Sequence, residues 1–229
     1  MDINLMNSGD KMVKKIGLIH ATLNSVQPIN EAFRKYAPYV DLLNFLDDGL
    51  IQEVNAQGEI TPKTLRRFIG LVGRADDSAV DGILTVCSVF TPYVPGIAHL
   101  FQAPVLSADY SMLNEAVNTG KRIGLIATVA TAGTTSEEIM LKIAEEKGKS
   151  IEVHTEVAPE AFQALQAGDT AKHDGIIHQK ITDLSQKSDV IVLAQISMAR
   201  ATQNMNNVSI PVLTSLEVSM KSIIHAIES

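Results

Sequence analysis

The sequence predicts an α/β protein of two pseudo-symmetric lobes, each a four-stranded parallel sheet flanked by helices. Three observations lead there. Short β-branched apolar runs alternate with amphipathic stretches along the whole chain, the pattern of strands buried under helices. Three sequence blocks of the first half recur in the second, in the same order and at nearly one offset. The chain has 229 residues and is 45% apolar, enough to bury two cores.

The repeat is explicit. Lys15-Ile16-Gly17-Leu18-Ile19 returns as Arg122-Ile123-Gly124-Leu125-Ile126, Asp81-Gly82-Ile83-Leu84 as Asp189-Val190-Ile191-Val192, and Ala103-Pro104-Val105-Leu106-Ser107 as Ile210-Pro211-Val212-Leu213-Thr214. A spacing of about a hundred residues is that of whole domains, since solenoid repeats run to roughly 20–50. The expected division is an N-terminal extension over 1–13, a first lobe over 14–107 completed by a C-terminal helix over 215–229, and a second lobe over 108–214.

Strands are expected near 15–20, 40–45, 82–87 and 104–107, and again near 122–127, 151–156, 190–194 and 210–214. Thr61 and Pro62 form an N-cap and first-turn pair for a helix reaching about Ala75, with Leu65, Phe68, Ile69 and Val72 as its buried stripe. Thr135 with Glu138 reads as a capping box, followed by the stripe Ile139, Ile143 and Ala144. Such lobes are Rossmann-like or flavodoxin-like, and their ligands sit beyond the carboxyl ends of the strands, here in the cleft between lobes. The residues leaving those ends are polar: His20, Thr22, Asn24 and Ser25 after the first strand, Thr128 and Thr131 after its repeat partner, Cys87-Ser88 and Gln195-Ile196-Ser197 after the third strands.

Composition removes several function classes. The net charge is −7 and the basic residues are dispersed, so the footprint of a nucleic-acid binder is missing. The longest apolar runs fall far short of the roughly 20 residues that span a bilayer. One cysteine closes no intrachain disulfide and the first residues carry no signal-peptide pattern, which together predict a soluble cytoplasmic protein. No cluster at metal-ligand spacing and no nucleotide-binding glycine motif occurs, so no cofactor and no metal are expected. His173 and His178, five apart, would fall on different faces of a helix; with His99, His154 and His225 they read as surface or packing residues. Met198, Met205 and Met220 read as packing, and the polar stretch 202–207 as a surface loop placed to act as a flap.

Cys87 stands where a strand hands over to a helix start, a place where backbone N–H groups favour the thiolate. A lone cysteine on an apolar strand is equally read as a buried small hydrophobe. Thr22, Asn24, Ser25, Ser88, Thr128 and Thr131 form an anion-binding set of hydroxyls and turn N–H groups, and each is also an ordinary cap or turn residue. His20 reads as a hydrogen-bonded core histidine or as a proton relay near Cys87. Glu217 reads as a contact to a substrate amino or hydroxyl group, or as a first-turn acid complementing its helix.

The paired half-repeats, with their Ile-Gly-Leu-Ile first strands, third strands ending at a cysteine position and Pro-Val-Leu fourth strands, resemble the Asp/Glu racemase superfamily from about Lys14 onward. That resemblance implies two cysteines facing each other across the cleft, beside small polar residues that hold a substrate carboxylate. Cys87 falls on the first cysteine position; Gln195 falls on the second. Racemisation needs an acid/base group on each face of the α-carbon, and Gln195 does not ionise near neutral pH. Strict two-thiol racemisation is therefore disfavoured unless His20 or another group supplies the second proton. The expectation is a cofactor-independent isomerase acting on a small carboxylate-bearing substrate through Cys87, with Gln195 as its polar counterpart and Ser197 among the substrate contacts. A decarboxylase with one Cys proton donor and a non-catalytic binding protein are the alternatives, and a homodimer is plausible by analogy with the fold.

Overall fold

The computed structural model describes residues 13–202, 205 and 208–229, without the side chains of Asn24 and Asn55. The N-terminal extension, apart from Val13, and most of the expected flap lie outside the described residues. The first lobe runs β1 (Lys14–His20), α1 (Val26–Tyr36), β2 (Val40–Leu46), α2 (Gly49–Gln57), α3 (Pro62–Asp76), β3 (Gly82–Thr85), α4 (Val94–Ile97), β4 (Val105–Ser107). Then follow α5 (Ala108–Thr119), β5 (Arg122–Ala127), α6 (Ala130–Glu146), β6 (Glu152–Val157), α7 (Pro159–Gln166), α8 (Thr170–Ser185), β7 (Val190–Leu193), β8 (Val212–Thr214) and α9 (Ser215–Glu228). Short 3-10 segments occupy Leu23–Ser25, Ser88–Tyr93, Ala98–Leu100 and Ile196–Thr202.

The two sheets have the same order, β2-β1-β3-β4 and β6-β5-β7-β8, and every pairing is parallel. The duplication extends to individual hydrogen bonds. The Asp81 amide donates to Lys15 O and the Asp189 amide to Arg122 O, both at 2.7 Å. The Asp81 carboxylate then accepts the Lys15 amide and pairs with the Lys14 ammonium, while Asp189 accepts the Arg122 amide and pairs with the Arg122 guanidinium. An aspartate at the start of each third strand thus clamps the start of each first strand, which accounts for its recurrence.

Burial follows from the sheets' two-sided cover. In the first lobe, Phe68, Leu71 and Val72 of α3 pack with Ile19 and Ile83 on one face, and the rings of Phe68 and Phe90 stack at 4.3 Å. On the other face, Ile29 and Phe33 of α1 meet Ile16, Leu18 and Leu84, with Met220 and Ile223 of α9. The C-terminal helix therefore covers the first lobe's sheet. The second lobe's core gathers Leu125, Ile126, Ile191 and Val192 with Ile139, Ile143, Ile177 and Ile181. Gly17 lies against α3, where a Cβ would come 3.0 Å from that of Ala75. Gly124 holds the equivalent place, where a Cβ would come 2.6 Å from Ile191 Cδ1 and 2.8 Å from Ser188 Oγ.

Thr61 caps α3 as expected, its hydroxyl accepting the Thr64 amide at 3.2 Å. The Thr135–Glu138 capping box does not form. The helix starts at Ala130 and both residues are inside it. The reason is tertiary: Ala132 is buried and Gly133 packs against β5 and β6, its Cβ position 3.4 Å from Ala127 Cβ, so packing starts the helix a turn ahead of the local signal. Among the described residues no helix is long and apolar enough to cross a membrane.

Candidate active site

Cys87 and Gln195 occupy equivalent turns. Each stands two residues past the end of its third strand and opens a 3-10 segment, with the Phe90 amide donating to Cys87 O at 3.2 Å and the Met198 amide to Gln195 O at 3.1 Å. The preceding residues are matched as well, Val86 donating to Ile19 O and Ala194 to Ile126 O. The two turns meet between the lobes, where Ser88 Oγ donates to Ala194 O at 3.2 Å. Sequence repeats have become two facing strand ends.

The backbone N–H groups of Val89 and Phe90 point at the Cys87 sulfur, as expected of a helix start. They do not prevail. Burial, with the neighbouring Asp109 charge adding to it, pushes the thiol up to about 12, so the resting group is a protonated thiol and the expectation of a favoured thiolate is corrected. Cys87 is 9% exposed and belongs to the first lobe's core cluster.

Gln195 is half-buried, and its side-chain carbonyl accepts the Thr128 amide at 2.8 Å. That bond occupies the acceptor end and leaves the NH₂ end to donate. Thr128 itself is buried at the end of β5. At the matching end of β1, His20 is fully enclosed, with Nδ1 2.8 Å from Ser25 Oγ and Nε2 2.9 Å from Asn44 Oδ1. Burial holds its pKa below the ordinary histidine value, against the opposing bond to Asn44. Ser25 also donates to Thr22 O at 2.9 Å. The Asn24 side chain lies outside the described part of the structure.

Other candidates stand elsewhere. Thr131 is exposed on the first turn of α6. Ser197 and Glu217 line a cleft of about 780 Å³ between α1, α7, the 196–202 turn and α9, with Glu31, Lys35 and Arg200; Cys87 does not line it. Glu217 is exposed and pairs with Lys221 at 2.6 Å. His173 is buried beside Asp174, and His178 bonds to Ala201 O. No group of residues suited to hold a metal ion occurs among the described residues.

One titratable group of the site was not anticipated. Asp109, in the first turn of α5, is 4% exposed; the Thr91 hydroxyl donates to its carboxyl at 3.4 Å, and those of Ser88 and Ser215 lie near it. Burial raises it to about 6, against the lowering effect of those hydroxyls. An acid in a helix's first turn reads as a dipole partner, so the sequence held no signal for it.

A family model described as Asp/Glu/Hydantoin racemase matches residues 16–223. The chain belongs to that family. Its fold is shared with the aspartate racemase of Picrophilus torridus at 14% identity, covering 94% of each chain with a TM-score of 0.74. An aspartate racemase homologue from Pyrococcus horikoshii OT3 gives 17% identity over 94% of this chain and 100% of the other, TM-score 0.73. The allantoin racemase of Klebsiella pneumoniae gives 17% over 94% and 88%, TM-score 0.66. No curated protein matches the sequence. Racemase-family membership supports an enzyme of isomerase type.

Proposed function

We propose that this racemase-family chain is a cofactor-independent isomerase that moves a proton on a carbon beside a carboxylate, with Cys87 as the acid/base group. The observation that carries this reading is the equivalence of Cys87 and Gln195 at two strand ends joined through Ser88 and Ala194. Loss of an α-proton turns a carboxylate toward an enediolate, and the added charge needs donors. The Gln195 NH₂ and the site's hydroxyls are donors of that kind, and Cys87 delivers or accepts the carbon-bound proton on its own face.

A thiol held protonated at rest favours one further reading, from the lyase class. Loss of carbon dioxide from a malonate-type acid leaves a carbanion that a single S–H protonates, the proton passing from sulfur to carbon.

Incubation of the protein with small 2-amino, 2-hydroxy and ureido acids in D₂O, followed by proton NMR, tests the first reading. Deuterium entering the α-position, and failing to enter with Cys87→Ser, is the expected result. Carbon dioxide release from malonates without exchange would replace isomerase by decarboxylase. Neither reaction across the panel, with an unchanged Cys87→Ser control, would overturn both.

A further inference from the structure

Asp109 and Cys87 are two ionisable groups sealed in the same place between the lobes. Asp109 follows β4, and Cys87 follows the adjacent β3. A chain of hydroxyls is aimed at the carboxylate: the Tyr110 amide donates to Ser107 Oγ, Ser107 and Thr91 are 2.8 Å apart, and Thr91 Oγ1 donates to Asp109 Oδ2 at 3.4 Å. Ser215, at the start of α9, is buried near the same carboxyl, and its Oγ makes no hydrogen bond. Ser88, next to Cys87, has one proton and two acceptors in reach, the Ala194 carbonyl and Asp109. Among the described residues no cationic side chain pairs with the carboxylate. Around α5, the charged side chains of α6 (Glu138, Lys142, Glu145, Glu146) and of α9 (Glu217, Lys221, His225, Glu228), with Glu115 on α5 itself, are exposed, and Glu137 is half-buried. Both groups are buried just past the ends of hydrogen-bonded neighbouring strands, so the charge of Asp109 adds to the cost of ionising the Cys87 thiol.

We propose that Asp109 is a positioning residue that governs the proton of Cys87, its buried carboxylate keeping that proton on sulfur and making the thiolate, once formed, a stronger base. Two negative charges in one desolvated pocket oppose each other, so thiolate beside carboxylate is the disfavoured state. When the α-carbon gives up its proton, the C–H electron pair stays on the substrate as the enediolate and the proton joins sulfur, relieving that repulsion. In the reverse direction the S–H proton passes to carbon. The catalytic meaning rests on the function proposed above; the coupling of the two groups does not.

The coupling is measurable without substrate, because Cys87 is the chain's one cysteine. Iodoacetamide labelling is followed from pH 5 to 9 in the wild type and in Asp109→Asn. At pH 5, with Asp109 mostly protonated, the two proteins are expected to react nearly alike. Toward pH 9 the variant reacts about threefold faster, a roughly tenfold larger thiolate fraction being offset in part by the weaker nucleophilicity of a less basic thiolate. A variant that merely loosened the packing would react faster by the same factor at every pH. Equal rates throughout, or a constant ratio, would overturn the proposal.

Should Asp109→Asn fail to fold, [β-¹³C]cysteine labelling of the wild type decides. The single Cys87 resonance is expected to step between pH 5 and 7 as Asp109 ionises, and a flat line overturns the coupling. Neither measurement depends on a substrate, so loss of the functional reading and loss of the coupling are separate results.

Discussion

The Ser88 hydroxyl donates to the Ala194 carbonyl at 3.2 Å, joining the residue after Cys87 to the residue before Gln195. This contact joins the turns that follow the two third strands, so the geometry of the site and the seating of one lobe on the other are linked.

Gln195 is held by the Thr128 amide. Replacing it with leucine leaves that N–H without its acceptor, at a cost of about 1–3 kcal/mol. Urea unfolding should show a lower midpoint with an unchanged slope. A wild-type midpoint would show that water replaces the side chain.

His20 is buried and its pKa is lowered, so the unfolded chain binds a proton more readily than the folded one. Its contribution to stability is therefore full above pH 6.5 and is lost as the pH falls below that value. Wild type and His20→Gln, compared by thermal unfolding at pH 7.5 and pH 5, should differ more at the higher pH. An equal difference at both would assign the loss to packing.

Asp109 has the opposite sign. With its carboxyl raised to about 6 in the folded protein, the folded state binds the extra proton between about pH 4 and 6. Its effect is to lower stability as the pH rises through that window, by roughly 3 kcal/mol. Asp109→Asn should flatten this part of the stability profile and leave the variant at least as stable as the wild type at pH 7. A variant that loses stability there would show that the hydroxyl cage outweighs the buried charge.

Gly17 and Ala75 are in close approach. Gly17→Ala should cost about 1–3 kcal/mol by overpacking, and Ala75→Gly should recover part of it in the double variant. Additive losses in the thermal midpoints would place the strain elsewhere.

The strands and their division into two equivalent sheets were legible because they rest on local patterns written twice. Ile16-Gly17-Leu18 and Ile123-Gly124-Leu125 each carry their own period and glycine, and Asp81 and Asp189 each announce a third strand. The start of α6 was not legible, since the burial of Gly133 against β5 and β6 overrode the capping signal at Thr135. His20 reads as a core histidine or a proton relay, and its partners Ser25 and Asn44 reach it from a turn and a neighbouring strand that only the fold brings together.

The sequence by itself determined a duplicated α/β chain with one thiol and a glutamine at matched strand ends. Only the tertiary structure decided how that thiol is charged. Its proton depends on how deeply the turn is buried and on Asp109, brought beside it from the next strand's end and enclosed by Ser215 from the far end of the chain. Desolvation and charge act through space, and a sequence records neighbours along the chain only.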